Sequence, residues 1–329
     1  MSKLSDGFGR VHTDLRISVT DRCNLRCTYC MPAEPVFLPR EELLCFEEIT
    51  RVVTVAAGAG IRTIRLTGGE PLLRRDLERL VRLLVAVPGI EEVAATTNGL
   101  LLNEQAAGLA AAGLGRLNVS LDAIRVEAFE KLARRRGLDR VLAGLAAARA
   151  AGFRAIRINA VSIRGLSEAE IVPLAEFCRR ESFHLRFIEF MPLDAEGGWD
   201  AEQVLSGAAV RVILQQAIGP LEPLPPVDVG QPAVDWQWAD GGGLIGFIEP
   251  VSSPFCDRCD RLRLTADGQF RNCLFSTTEW DARAVLRGGG SDAELAALLQ
   301  ACVAAKRAAH GIGSPAFERP ARAMYQIGG

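Results

Sequence analysis

No stretch of the chain approaches the roughly eighteen consecutive apolar residues that a membrane-crossing helix needs. The N-terminus also lacks the charged, then apolar, then small-residue order of a secretory leader, so a soluble, cytoplasmic protein away from membranes is expected. There is no positive excess either: 38 lysines and arginines face 40 aspartates and glutamates, a net charge of -2. That balance argues against a general nucleic-acid coat, which works by releasing counterions from phosphates. Lysine itself is scarce, with Lys3, Lys131 and Lys306 the only three. Most of the arginines reflect that compositional bias, and only those at strand ends or beside cysteines carry a functional expectation.

What is present starts with size: 329 residues, 49% hydrophobic, enough for one large core and a smaller appended domain. Nine cysteines without a secretory leader point to metal or redox chemistry rather than to a disulfide framework. Six of them form two groups. "VTDRCNLRCTYCMP" brings Cys23, Cys27 and Cys30 together, and "PFCDRCDRLRLTADGQFRNCLF" contains Cys256, Cys259 and Cys273. Structural zinc takes four protein ligands, so three thiolates leave a coordination position open at each group. Of the scattered remainder, Cys178 and Cys302 lie in apolar helical patterns and are expected to fill core space.

The first two hundred residues alternate between near-continuous apolar, β-branched runs and amphipathic segments. "DLRISVT", "TIRLTGG", "EVAATTN", "RLNVSLD", "AIRINAVSI" and "HLRFIEFMP" read as buried parallel strands, and segments such as "EEITRVVTVAAGAG" read as the helices between them. Six such units predict an α/β fold, a partial (βα)6 TIM-like barrel spanning residues 1–193. After that the pattern breaks at "EGGWD", "GPLEPLPPVDVGQP" and "DGGG", so residues 194–329 are expected to form a smaller C-terminal domain containing the second cysteine group. Barrel chemistry collects at strand ends, where "TGGEP" closes the second strand with a glycine pair that lets backbone approach closely.

The Cys-x3-Cys-x2-Cys spacing after the first strand resembles the radical S-adenosylmethionine (SAM) superfamily. The resemblance implies that the three thiolates hold three irons of a 4Fe-4S cluster, whose fourth iron binds SAM. Soft thiolates suit such clusters, and an iron without a protein ligand is free to take a substrate. Within the superfamily, "DLRISVTDRCNLRCTYCMP", "RLTGGEPLLRRDL", "TTNGLLL", "LNVSLDA", "FIEFMPLD", the second cysteine group and the terminal "IGG" together resemble the GTP 3′,8-cyclase family of molybdenum cofactor biosynthesis, from about residue 10 to the end. The fold implied is a radical SAM barrel with a C-terminal domain carrying a second 4Fe-4S cluster on Cys256, Cys259 and Cys273, whose free iron binds the guanine of GTP.

The same resemblance assigns Tyr29, Gly69, Ser120 and Met191 to SAM, and Arg16, Arg65, Thr96, Arg157, Arg261 and Arg263 to GTP. Arg157 stands where the family commonly has lysine, so a planar fork replaces a point charge there. Arg186 is expected beside a C-terminal tail whose Gly328 and Gly329 reach the catalytic cavity, although chain ends ordinarily fray. The implied reaction is a radical-initiated conversion of GTP to (8S)-3′,8-cyclo-7,8-dihydroguanosine 5′-triphosphate by a lyase. The implied partners are cyclic pyranopterin monophosphate synthase as the next enzyme and a flavodoxin or ferredoxin as electron donor, with a homodimer among the allowed assemblies. Two other readings stay open on the residues: a peptide-modifying radical SAM enzyme with an auxiliary cluster, and a non-catalytic zinc-binding module.

Overall fold

Strand β1 (Asp14–Ser18) sets the rule for the whole sheet: Leu15 and Ile17 are fully buried on the outer, helix-covered face, while Arg16 between them turns inward. The computed structural model describes residues 3–226, 230–315 and 317–328. In it β1 is followed by α1 (Phe46–Gly58), β2 (Thr63–Thr67), α2 (Leu77–Val85), β3 (Glu92–Thr97), α3 (Leu102–Ala111) and β4 (Arg116–Ser120). Two helices, α4 (Val126–Ala133) and α5 (Leu138–Ala150), lead to β5 (Ile156–Ser162), and α6 (Ile171–Arg180) leads to β6 (His184–Glu189). These are the six βα units expected from the sequence. Local chemistry sets their ends. Cys45 precedes α1, and its sulfur accepts from the Glu48 N–H while Glu48 caps back, a role open to a small polar atom at that position.

The C-terminal region adds α7 (Gly207–Ala217), β7 (Leu221–Pro223), β8 (Val234–Trp238), β9 (Leu244–Ile248), β10 (Arg261–Leu264), β11 (Gln269–Arg271) and β12 (Trp280–Asp281). Three helices follow, α8 (Ala282–Arg287), α9 (Asp292–Ala304) and the short α10 (Met324–Ile327). These late strands join the barrel sheet at both edges. The order is β12-β11-β10-β1-β2-β3-β4-β5-β6-β9-β8-β7, with β10 parallel to β1 and β9 parallel to β6. The sheet stays open because β10 and β9 turn outward to antiparallel partners, β11 and β8, and do not meet each other. Residues of β9 and β10 nevertheless line one cavity with those of β1–β6, so the sheet curls around it as a partial barrel.

The main core lies between the outer sheet face and the helices, where Ile49, Val52, Ile64, Leu80, Leu117 and Ile158 are essentially inaccessible to water. Cys178 and Cys302 belong to it, as their apolar settings led us to expect. Among the described residues, no helix is long and apolar enough to cross a membrane.

Candidate active site

Parallel pairing sets inward residues of neighbouring strands side by side, and this builds the site row by row. Arg263 of β10 pairs in register with Arg16, and Arg16 with Arg65 of β2. Further round, Thr96 aligns with Asn118, Asn118 with Arg157, and Asn159 with Arg186. All of them line a cavity of about 490 Å³ inside the barrel, together with Arg261 and the six clustered cysteines. Tyr29, Gly69, Ser120 and Met191 line it as well.

The loop carrying Cys23, Cys27 and Cys30 follows β1 and is pinned from two sides. Arg26 and Thr28 donate backbone N–H groups to Ala133 and Leu132 at the end of α4, at 2.9 and 3.0 Å. On the other side, Gly69 and Glu70 each donate to the loop's own carbonyls, Thr20 and Arg22, at 2.7 Å. A Cβ on Gly69 would overlap the carbonyls of Asp21 and Arg22, so the close approach that this glycine permits is to the cysteine loop's backbone. Glu70 then ties the next loop in, accepting from Thr97 Oγ1 and the Asn98 N–H at 2.7 Å each. Burial nevertheless pushes its carboxyl up to about 7. Asp122, after β4, accepts from the Tyr29 hydroxyl at 2.6 Å, and burial raises it to about 6.

The three thiols of this loop suit a metal cluster. Burial, with help from Glu70, pushes Cys23 up to about 11; burial and Cys23 push Cys30 up to about 12; burial and Asp122 drive Cys27 well above its usual value. Thiolates this costly form when a cationic metal group offsets their charge. Donors already face the sulfur: the Leu25 N–H lies 3.4 Å and Asn98 Nδ2 3.7 Å from Cys23 Sγ. In the second group burial raises Cys256 as well, but Cys259 differs in sign. Burial raises Cys259, but Arg261 and Lys306 outweigh it and bring the thiol down to about 7. The Phe275 N–H lies 3.4 Å from Cys273 Sγ. Both groups line the same cavity as the arginine row.

That row is left electrostatically unbalanced. Among the described residues, the ion-pair partner of both Arg16 and Arg65 is Asp14, at 3.9 Å each, and burial followed by repulsion from Arg65 lowers Arg16 to about 10. Arg157 is lowered to about 10 by burial and by Arg186. The buried Nε atoms of Arg16, Arg65, Arg116 and Arg186 have no hydrogen-bond acceptor among the described residues. Buried donors without acceptors are expensive, so this wall is built for a multiply charged anion.

The tail enters the cavity, but its partner differs from the one expected. Gly328 has φ +87°, lies against Ser18 and Thr67 at the ends of β1 and β2, and gives its carbonyl oxygen to Arg263. Arg186 is instead bound to Gln231 at 2.9 Å and Asp235 at 3.4 Å. The reason is position in the sheet: Arg186 sits on β6 beside β9, whereas the tail ends at β1 and β2, next to β10. Gly329 lies outside the described residues. Two arginines strap the tail down, Arg319 on Asp194 at 2.7 Å and Arg322 forked on Asp267 at 2.8 and 3.1 Å.

Several cavity residues escaped the sequence reading. Arg116, Asn118 and Asn159 obey the same inward alternation as Arg16 and Arg65, which was the signal available for them. Asp122 and Glu70 follow strand ends, where sequence alone does not separate a site carboxylate from a loop one.

Residues 17–178 match the radical SAM superfamily, and residues 183–312 match the molybdenum cofactor synthesis C-terminal family. A GTP 3′,8-cyclase of Rhodopirellula baltica is 51% identical over 99% of this chain and 92% of its own length. That of Mycolicibacterium smegmatis is 47% identical over the same shares, and that of Moorella thermoacetica 44% over 99% and 100%. Among solved structures, Streptococcus suis SuiB bound to S-adenosylmethionine superposes with a TM-score of 0.61 at 17% identity, covering 82% of this chain and 63% of that one, a likeness of fold.

Proposed function

The chain belongs to the GTP 3′,8-cyclase family of radical SAM enzymes, and from that premise we propose how its residues divide the work. The enzyme is a SAM-dependent lyase that converts GTP to (8S)-3′,8-cyclo-7,8-dihydroguanosine 5′-triphosphate, the first step of molybdenum cofactor biosynthesis. It uses SAM and a 4Fe-4S cluster, which sets aside the zinc-module reading, and its near full-length likeness to GTP 3′,8-cyclases sets aside the peptide-modifying one.

Cys23, Cys27 and Cys30 hold that cluster, which when bound supplies the electron for cleaving SAM to methionine and a 5′-deoxyadenosyl radical. Tyr29, Gly69, Ser120 and Met191 shape the SAM side of the cavity. Arg16, Arg65, Arg157, Arg261 and Arg263 take the triphosphate with Thr96, and Cys256, Cys259 and Cys273 hold a second 4Fe-4S cluster facing the guanine. The Gly328–Gly329 tail serves catalysis, with Gly328 held by Arg263, while Arg186 acts from the β6 wall of the cavity. The carrying observation is the buried arginine row with acceptor-less Nε atoms, lining one cavity together with two three-cysteine groups. A triphosphate supplies the acceptors this wall lacks. The family setting also supports a cytoplasmic location, a flavodoxin- or ferredoxin-type donor, cyclic pyranopterin monophosphate synthase as the consumer of the product, and a homodimer.

The test is anaerobic incubation of the reconstituted chain with GTP, SAM and dithionite, with the nucleotide product identified by mass. Cys273→Ala should still cleave SAM slowly and make no cyclised nucleotide. Normal GTP turnover by that variant rules out the role given to the second cluster.

A further inference from the structure

Lys306 is the one buried lysine of the three, since Lys3 and Lys131 are exposed. It follows the C-terminal end of α9, and its Nζ lies 3.5 Å from Cys259 Sγ and 2.9 Å from the carbonyl oxygen of Arg261. The neighbouring backbone is fastened to the same cysteine loop independently. Arg10, itself buried, donates to the carbonyls of Arg307 at 2.7 Å, Ala308 at 3.0 Å and Cys256 at 2.5 Å. Its Nε is held by Asp6 at 2.6 Å. On the far side, Asn272 Nδ2, one residue before Cys273, donates to the Cys302 carbonyl of α9 at 2.8 Å. Each stretch bearing a cysteine of the second group is therefore tied to the end of α9 or the strap after it. Only one of these ties, Lys306 on Cys259, ends on a ligand sulfur with a cationic side chain.

We propose that Lys306 is a positioning residue that sets the reduction potential of the second cluster through its contact with Cys259 Sγ. The inference rests on the reading that Cys256, Cys259 and Cys273 hold a cluster. Potentials of iron-sulfur clusters respond to net charge, to hydrogen bonds on the sulfurs and to solvent exposure. Taking up one electron adds one negative charge to the cluster and breaks no bond. A donor cation fixed on a ligand sulfur in a low-dielectric setting favours that reduced form. The Arg261 side chain also faces the Cys259 sulfur and adds positive charge there, and its carbonyl accepts from the Lys306 ammonium, so the Lys306 effect is read against a background that Arg261 keeps constant.

The experiment uses the full chain, anaerobically reconstituted, as wild type, Lys306→Met and Lys306→Arg. Iron content is measured first, then the midpoint potential of the cluster whose electron paramagnetic resonance signal responds to GTP. Lys306→Met keeps the apolar stem and removes the donor. It should retain wild-type iron and lower the potential by at least about 59 mV, a tenfold change in a one-electron equilibrium, with Lys306→Arg remaining near wild type. An unchanged potential in Lys306→Met with its iron intact overturns the proposal. So does loss of the GTP-responsive cluster in both variants, because that marks a packing role. A wild-type chain that binds only about four irons instead removes the second cluster itself, and is recognised before any variant is compared.

Discussion

Gly328→Ala isolates the tail from the rest of the fold. The residue sits at φ +87°, where a side chain costs about 1–3 kcal/mol. Its new Cβ would also lie 2.5 Å from Thr67 Oγ1 and 3.0 Å from Ser18 Cβ, both in a wall of paired strands with little room to shift. Crowding of this kind costs about another 1–3 kcal/mol. Both costs apply only while the tail is docked, since the strand ends that crowd the new Cβ and the Arg263 contact are met only there. Even about 2 kcal/mol, at about 1.4 kcal/mol for each tenfold, lowers the ratio of docked to undocked tail about 30-fold. The carbonyl contact with Arg263 goes with it. The expected result is a drop in kcat for the cyclised nucleotide of tenfold or more, read by mass at saturating GTP and SAM, with iron content and thermal unfolding as in the wild type. Limited proteolysis with trypsin should cut Gly328→Ala faster after Arg322. Turnover within about twofold of wild type, with the tail still protected, would refute the docking argument.

Changing Cys23, Cys27 and Cys30 together to alanine should leave about half of the roughly eight irons bound by the reconstituted chain; iron analysis showing no loss would sink the assignment of the first group. Glu70 titrates at about 7 in the folded chain against an ordinary 4.5, so between those values the folded state keeps a proton that the unfolded chain has released. Stability therefore falls as pH rises through that window, by about 3 kcal/mol at about 1.36 kcal/mol per pH step. Urea unfolding at pH 4.5 and pH 8 should show Glu70→Gln without that part of the slope, and an identical slope in both proteins would contradict it.

Some of this was legible in short windows of sequence. Cys23, Cys27 and Cys30 announce their chemistry by spacing alone, because ligands on one loop stay close whatever the loop packs against. The alternation of Arg16 and Arg65 with Leu15, Ile17, Ile64 and Leu66 likewise assigns faces, since a strand's side chains point to opposite sides in turn. The six βα units follow from the same periodicities.

Other features depend on which distant strands pair, and no window of sequence contains that. The parallel pairing of β10 with β1 brings Arg261 and Arg263 beside Asp14 and Arg16, and carries the second cysteine group to the cavity of the first. It also puts Arg263, and not Arg186, at the carbonyl of Gly328. The contact of Lys306 with Cys259, 47 residues earlier, and of Arg10 with Cys256, 246 residues later, likewise arises only when the end of α9 packs onto that loop. Sequence by itself determined the kinds of groups and their local direction, because those are set by neighbours along the chain. Tertiary structure decided which groups share the cavity, because burial of a continuous sheet selects pairings between segments hundreds of residues apart.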